Sequence, residues 1–204
     1  MTAEIPSFPR RDRLTVLGVG NVLCTDDGLG PAAVAQLNRR FKCEDRVEIA
    51  DGGTLGLSLL PLLEDSDQVI IVDAIRFDQP AGTLVRLEGE DVLPAVRTRL
   101  SVHQVGVADL LDAAKLREKL PRITILLGLV PDSIELGVEL SDPVRAALPR
   151  LVDAVAAEVR ALGFAIEERR GDERSDDEAL DNRDRAGGFF VQSVRGPRPA
   201  ARVS

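Results

Sequence analysis

Val69-Ile70-Ile71-Val72-Asp73 decides the fold: four β-branched apolar residues run without a polar break and are closed by an acid. A strand with one wet face alternates, whereas an unbroken apolar run is covered on both faces, as in a central parallel strand. Asp73 then stands at the carboxyl end of that strand, where a buried acid needs a partner or a metal. Upstream, residues 14–19 form a second short apolar run ending in Gly18-Val19-Gly20-Asn21, a strand entering a tight turn. A polar loop, Cys24-Thr25-Asp26-Asp27-Gly28-Leu29-Gly30, leads to Pro31 at a first helical position, and Val34, Leu37 and Phe41 follow at helical spacing.

The pattern repeats along the chain. Residues 47–50 predict a strand running into Asp51-Gly52-Gly53-Thr54, and residues 57–63 a helix with Pro61 in its first turn or at a kink. Residues 83–88 alternate apolar and polar, which predicts an edge strand, antiparallel to its neighbour. Ser101 is placed to cap a helix carrying Val107, Leu110, Leu111 and Ala114. Residues 123–127 are the last strong strand, and Val144, Leu148, Leu151, Val152, Val155, Val159 and Leu162 give a long helix opened by Ser141 or Asp142 and stopped by Gly163. Strands alternating with helices predict an open α/β sheet covered on both faces.

The chain divides into an N-terminal extension (1–13), one α/β domain (14–166) and a charged tail (167–204). Through residue 185 that tail is nearly all charged or small, a composition expected to stay disordered because it cannot bury enough apolar surface. Residues 188–204 carry Phe189, Phe190, Arg195, Arg198 and Arg202 without an acid and read as an untethered terminus in preference to a docking peptide.

Composition excludes several functions. With 26 Lys and Arg against 34 Asp and Glu, a net charge of −8, and neither Trp nor Tyr, the chain lacks the basic surface and stacking platforms of a nucleic-acid binder. No signal-like apolar core and no run approaching the roughly 20 residues of a membrane span occurs, so a cytoplasmic protein without membrane insertion is expected. Two distant cysteines, Cys24 and Cys43, suit a reducing compartment. A single histidine, His103, excludes zinc sites that use two or three His. Leu23 occupies the third-glycine position of a dinucleotide fingerprint, and neither a P-loop nor a Gly-x-Ser-x-Gly elbow is present. Cys24 with His103 is a weaker candidate for nucleophilic chemistry, since buried or incidental cysteine is the commoner case.

Ligands of open α/β sheets bind outside the carboxyl ends of the strands. Asp26 and Asp27 follow the first strand, Asp51 the second and Asp73 the third, while His103 precedes a helix. Carboxylates and one imidazole gathered from separate loops suit Ni, Zn, Mn or Fe(II). The ordinary alternatives are that Asp27 caps the next helix and that Asp51 satisfies the amides of its Gly-Gly turn.

Taken in order, Gly18-Val-Gly-Asn-Val-Leu-Cys-Thr-Asp-Asp-Gly-Leu-Gly30, Asp51-Gly-Gly-Thr-Leu-Gly56, Val72-Asp-Ala-Ile75, Ser101-Val-His-Gln104 and Gly128-Leu-Val-Pro-Asp-Ser-Ile-Glu135 resemble the hydrogenase maturation proteases. The resemblance implies a three-layer α/β/α sandwich around a twisted, mostly parallel sheet of about five strands. It also implies a monomeric endopeptidase that removes the C-terminal peptide of a nickel-iron hydrogenase large-subunit precursor after nickel insertion. Its metal-binding and catalytic trio falls on Asp27, Asp73 and His103, and the nickel is presented by the substrate and bound at this site. Asp51, Gly52 and Gly53 are expected to shape the floor of the site or contact substrate backbone. The alternative is a binding module or chaperone that checks nickel insertion in the large subunit without cutting it.

Overall fold

The computed structural model describes residues 12–97 and 106–169. Seven strands and five α-helices alternate along them: β1 (Leu14–Val19), α1 (Leu29–Arg40), β2 (Phe41–Cys43), β3 (Val47–Gly53), α2 (Leu60–Glu64), β4 (Gln68–Ala74), β5 (Leu84–Glu88), α3 (Val92–Arg97), α4 (Val107–Leu116), β6 (Ile123–Leu129), α5 (Asp142–Ala161) and β7 (Ile166–Glu168). Five strands form the main sheet in the order β3-β1-β4-β6-β5, parallel except for β5, which pairs antiparallel with β6 at the edge. The alternation in residues 83–88 had predicted that edge.

Every residue of β4 is buried, as its apolar run requires. On one face of the sheet, Leu14, Val16, Ile70 and Val72 pack with Leu29, Val34 and Leu37 of α1 and Val152, Val155 and Val159 of α5. On the other, Leu17, Val19, Val69 and Ile71 pack with Leu63 of α2, Val92 of α3 and Leu110 of α4. The alternating side chains of β1 and β4 therefore feed two cores, giving three α/β/α layers.

β1 and α1 approach unusually closely. A Cβ at Gly18 would lie 2.4 Å from the Gly30 carbonyl oxygen, and one at Gly30 would lie 2.3 Å from that of Val19. These two glycines let the helix start press against the strand it follows.

The structure departs from the sequence reading in several places. Phe41 does not continue α1 but opens β2, which pairs antiparallel with β7. Glu167 and Glu168, assigned to the tail by composition, belong to β7, and the Arg169 amide donates to the Arg40 carbonyl. Pro31 lies in the first turn of α1, two residues after its start, where its missing N–H is still not required. Gly106 caps α4; Ser101, the expected cap, lies outside the described residues, as do residues 1–11 and 170–204.

Candidate active site

β1 continues through α1 to β3 on one side, and the chain then returns to β4 on the other side of β1. The carboxyl ends of β1 and β4 therefore flank the sheet's switch point, where α/β sheets open a crevice. In register, Gly18 of β1 lies between Asp51 of β3 and Val72 of β4, one residue before Asp73.

Asp73 is 0% exposed and its Oδ1 accepts the Ala74 amide at 2.8 Å. Asp27 is 8% exposed, and its Oδ2 accepts the Asn21 amide at 2.9 Å. Gly20 lies close to both at φ +135: a Cβ there would stand 1.8 Å from the Asp27 carbonyl oxygen and 3.8 Å from Asp73 Oδ1. The bare Gly20 backbone is what allows the β1 turn to lie against both acids.

Asp27 does not cap α1, whose N-cap is Gly28. It lies instead in a short 3-10 turn, Thr25–Gly28, with Asp26. The two neighbours are held by different parts of the chain. Asp26 is 0% exposed and takes four hydrogen bonds: Oδ2 from the amides of Asp132 (2.8 Å) and Ser133 (3.1 Å) and from Ser141 Oγ (2.8 Å), and Oδ1 from the Ser141 amide (2.7 Å). Ser141 does occupy the N-cap position of α5, but its hydroxyl goes to Asp26. Thr25, at φ +40, is strained for a β-branched residue. Its amide donates to the Gly137 carbonyl and its hydroxyl to that of Ser133, which hold it there.

Asp51 lies exposed on the rim and Oδ1 accepts the Gly53 amide at 3.0 Å, the turn role anticipated for it. Although its surface is open, surrounding protein partly desolvates the carboxyl and pushes its pKa above the usual range, with the Gly53 hydrogen bond opposing. Gly52 is the extra residue of a bulge in β3; it is buried, and a Cβ would press on Leu17 and Leu59. Gly53, at φ +42, accepts the Gly20 amide at 2.9 Å through its carbonyl. Gly52 and Gly53 thus tie the β3 turn to the β1 turn.

Beyond the strand ends, the segment after β4 and the segment after β6 flank an open cleft of about 530 Å³, lined among others by Arg76, Phe77, Asp78, Pro131, Ser133 and Ile134. Sequence reading missed this cleft and the role of Asp26. The Asp-Asp pair was a signal that two acids were needed, but nothing in the spacing tells which faces the crevice. His103 lies outside the described residues, and among the described residues no three His, Cys, Asp or Glu side chains group to hold a metal.

Fold and site together define an α/β scaffold with buried carboxylates beside the switch point of its sheet. A sequence model of the family described as hydrogenase maturation protease matches residues 31–158. The hydrogenase 2 maturation protease of Escherichia coli is 38% identical over 152 residues, spanning 74% of this chain and 93% of that protein. The hydrogenase expression/formation protein HupD of Bradyrhizobium diazoefficiens is 34% identical over 168 residues, 81% of this chain and 87% of its own. Among solved structures, the hydrogenase maturating endopeptidase HybD from E. coli superposes with a TM-score of 0.73 at 37% identity, covering 77% of this chain and 98% of that one. The chain belongs to the hydrogenase maturation protease family and is a peptidase.

Proposed function

We propose that this protein removes the C-terminal peptide of a nickel-iron hydrogenase large-subunit precursor once nickel is in place, and that Asp27, Asp73 and His103 recognise that nickel. The observation that carries the reading is that the Gly20 turn, at the switch point of a maturation-protease fold, lies against both the Asp27 backbone and the Asp73 carboxylate. Carboxylate oxygens with one imidazole are a suitable donor set for a divalent first-row ion. The nickel belongs to the substrate and supplies Lewis acidity near the bond to be cut.

The chain's own contribution is orientation. The Asn21 and Ala74 amides fix the two carboxylates, and the Gly53 carbonyl holds the turn beside them. Only a precursor carrying its metal is then gripped in the crevice. The protein acts as a cytoplasmic monomer; the free thiols of Cys24 and Cys43 agree with a reducing compartment.

Nickel-loaded and nickel-free precursor are incubated with the protein and the large subunit is weighed by mass spectrometry. Loss of a short C-terminal peptide from the loaded form alone is expected, and Asp73→Asn and His103→Ala should each abolish it. Association with the loaded precursor without cleavage would instead identify a nickel-checking chaperone. Normal cutting by both variants would remove these residues from the site.

A further inference from the structure

We propose that the cleft between residues 76–79 and 130–134 is the subsite for the extended substrate polypeptide next to the scissile bond, and that Asp26 is the positioning residue that sets its wall. The inference rests on the function proposed above and adds to it where the peptide lies. Three observations carry it.

The first is place. The cleft opens just beyond the ends of β4, the strand that carries Asp73, and β6, so a chain lying in it runs along the carboxyl rim of the sheet. Its volume, about 530 Å³, falls in the usual range for ligand pockets, about 300–1,000 Å³.

The second is an aromatic that the fold does not use. Phe77 is 53% exposed at the cleft, whereas Phe41 and Phe164 are buried in the core. Pro131 and Ile134 join it on the lining, and Arg76, Asp78 and Asp132 supply polar groups. With Gln79 and Ser133 the lining is mainly polar, so the groove offers hydrogen-bonding groups to an extended peptide and Phe77 as an apolar contact for one of its side chains.

The third is that the far wall is built to be rigid. Its backbone at Asp132 and Ser133 donates to Asp26 Oδ2, and the Asp26 amide and the Thr25 hydroxyl both donate to the Ser133 carbonyl. The same carboxylate anchors Ser141 at the far end of the loop. A buried carboxylate satisfied entirely by one distant loop fixes that loop relative to the turn bearing Asp27. Peptide groove and metal-recognising acid are thereby held in one register, and positioning of this kind acts on how substrate sits.

The test is steady-state cleavage of nickel-loaded precursor. Phe77→Ala removes the anchor and should raise KM about tenfold. Ser141→Ala removes one of the four bonds to Asp26, and Asp26→Asn disturbs the clamp as a whole. Both should raise KM, Asp26→Asn the more, with kcat changed less than KM. Asp73→Asn should instead abolish kcat. Melting curves taken alongside separate a misfolded Asp26→Asn from a mispositioned one, and Ser141→Ala and Phe77→Ala decide the matter if Asp26→Asn fails to fold. Unchanged KM in Phe77→Ala and Ser141→Ala, with wild-type cleavage intact, overturns the subsite but leaves the function standing. Failure of the wild type to cut loaded precursor overturns the function itself.

Discussion

Replacing Gly20 by alanine tests the site geometry most directly. The new Cβ would stand 1.8 Å from the Asp27 carbonyl oxygen, where real contacts do not fall below 3.0 Å, so the two segments have to separate by more than an ångström. The obstacle is backbone, which cannot swing aside as a side chain can. The position also has φ +135, which alanine adopts only under strain. Together these should cost about 2–4 kcal/mol, a loss of roughly 5–15 °C in Tm for a domain of this size. A shift of that length beside the chemistry typically costs about 100-fold in rate, even well below the melting temperature. The assay is thermal unfolding followed by circular dichroism, paired with cleavage of nickel-loaded precursor at a temperature where the variant is fully folded. A variant that melts with the wild type and cuts at the wild-type rate would refute the claim that the bare Gly20 backbone sets the Asp27–Asp73 crevice.

Two further expectations concern the scaffold. Arg86 of β5 donates through Nε and Nη2 to the two carboxylate oxygens of Glu158 in α5, both at 2.9 Å, and the hydrogen bond from Arg86 holds the Glu158 carboxyl below its ordinary value of 4.5, with burial opposing. A depressed acid stabilises the fold above its unfolded pKa and loses that contribution as pH falls through its folded pKa. Glu158→Gln should therefore cost about 1 kcal/mol at neutral pH, and urea titrations should show the gap to wild type closing only at pH values below the ordinary glutamate range; a gap that stays constant down to pH 3 contradicts this. Burial pushes the Cys43 thiol up to about 11. Iodoacetamide at pH 8 should label Cys43 about 100-fold more slowly in the folded protein than in urea, and equal rates by peptide mass spectrometry would show the thiol to be open.

The main sheet was legible because its signals are local. The apolar run of β4, the alternation before Glu88 and the Ser141–Gly163 bracket around α5 each follow from backbone periodicity and from which residues can end an element. β2 was not legible, since Phe41 fits the apolar stripe of α1 as well as it fits a strand, and only its pairing with Glu168 decides between them. Within the site, placement of the acids at strand ends followed from topology, and Asp51 took the turn role its Gly-Gly sequence suggests. The division of labour between Asp26 and Asp27 did not follow. Both are small acids in one turn, and the partners that distinguish them lie near Ser133 and Ser141, too far along the chain for any spacing rule.

That distance has a consequence for biosynthesis. Every group bonded to the Asp26 carboxylate is at least 106 residues further along the chain. While a ribosome is still making the middle of the protein, the Asp27 turn has emerged but nothing holds the opposite bank of the cleft. The wall of the cleft is thus completed late in translation, and a nascent chain ending before Ser141 lacks two of the four donors that fix Asp26.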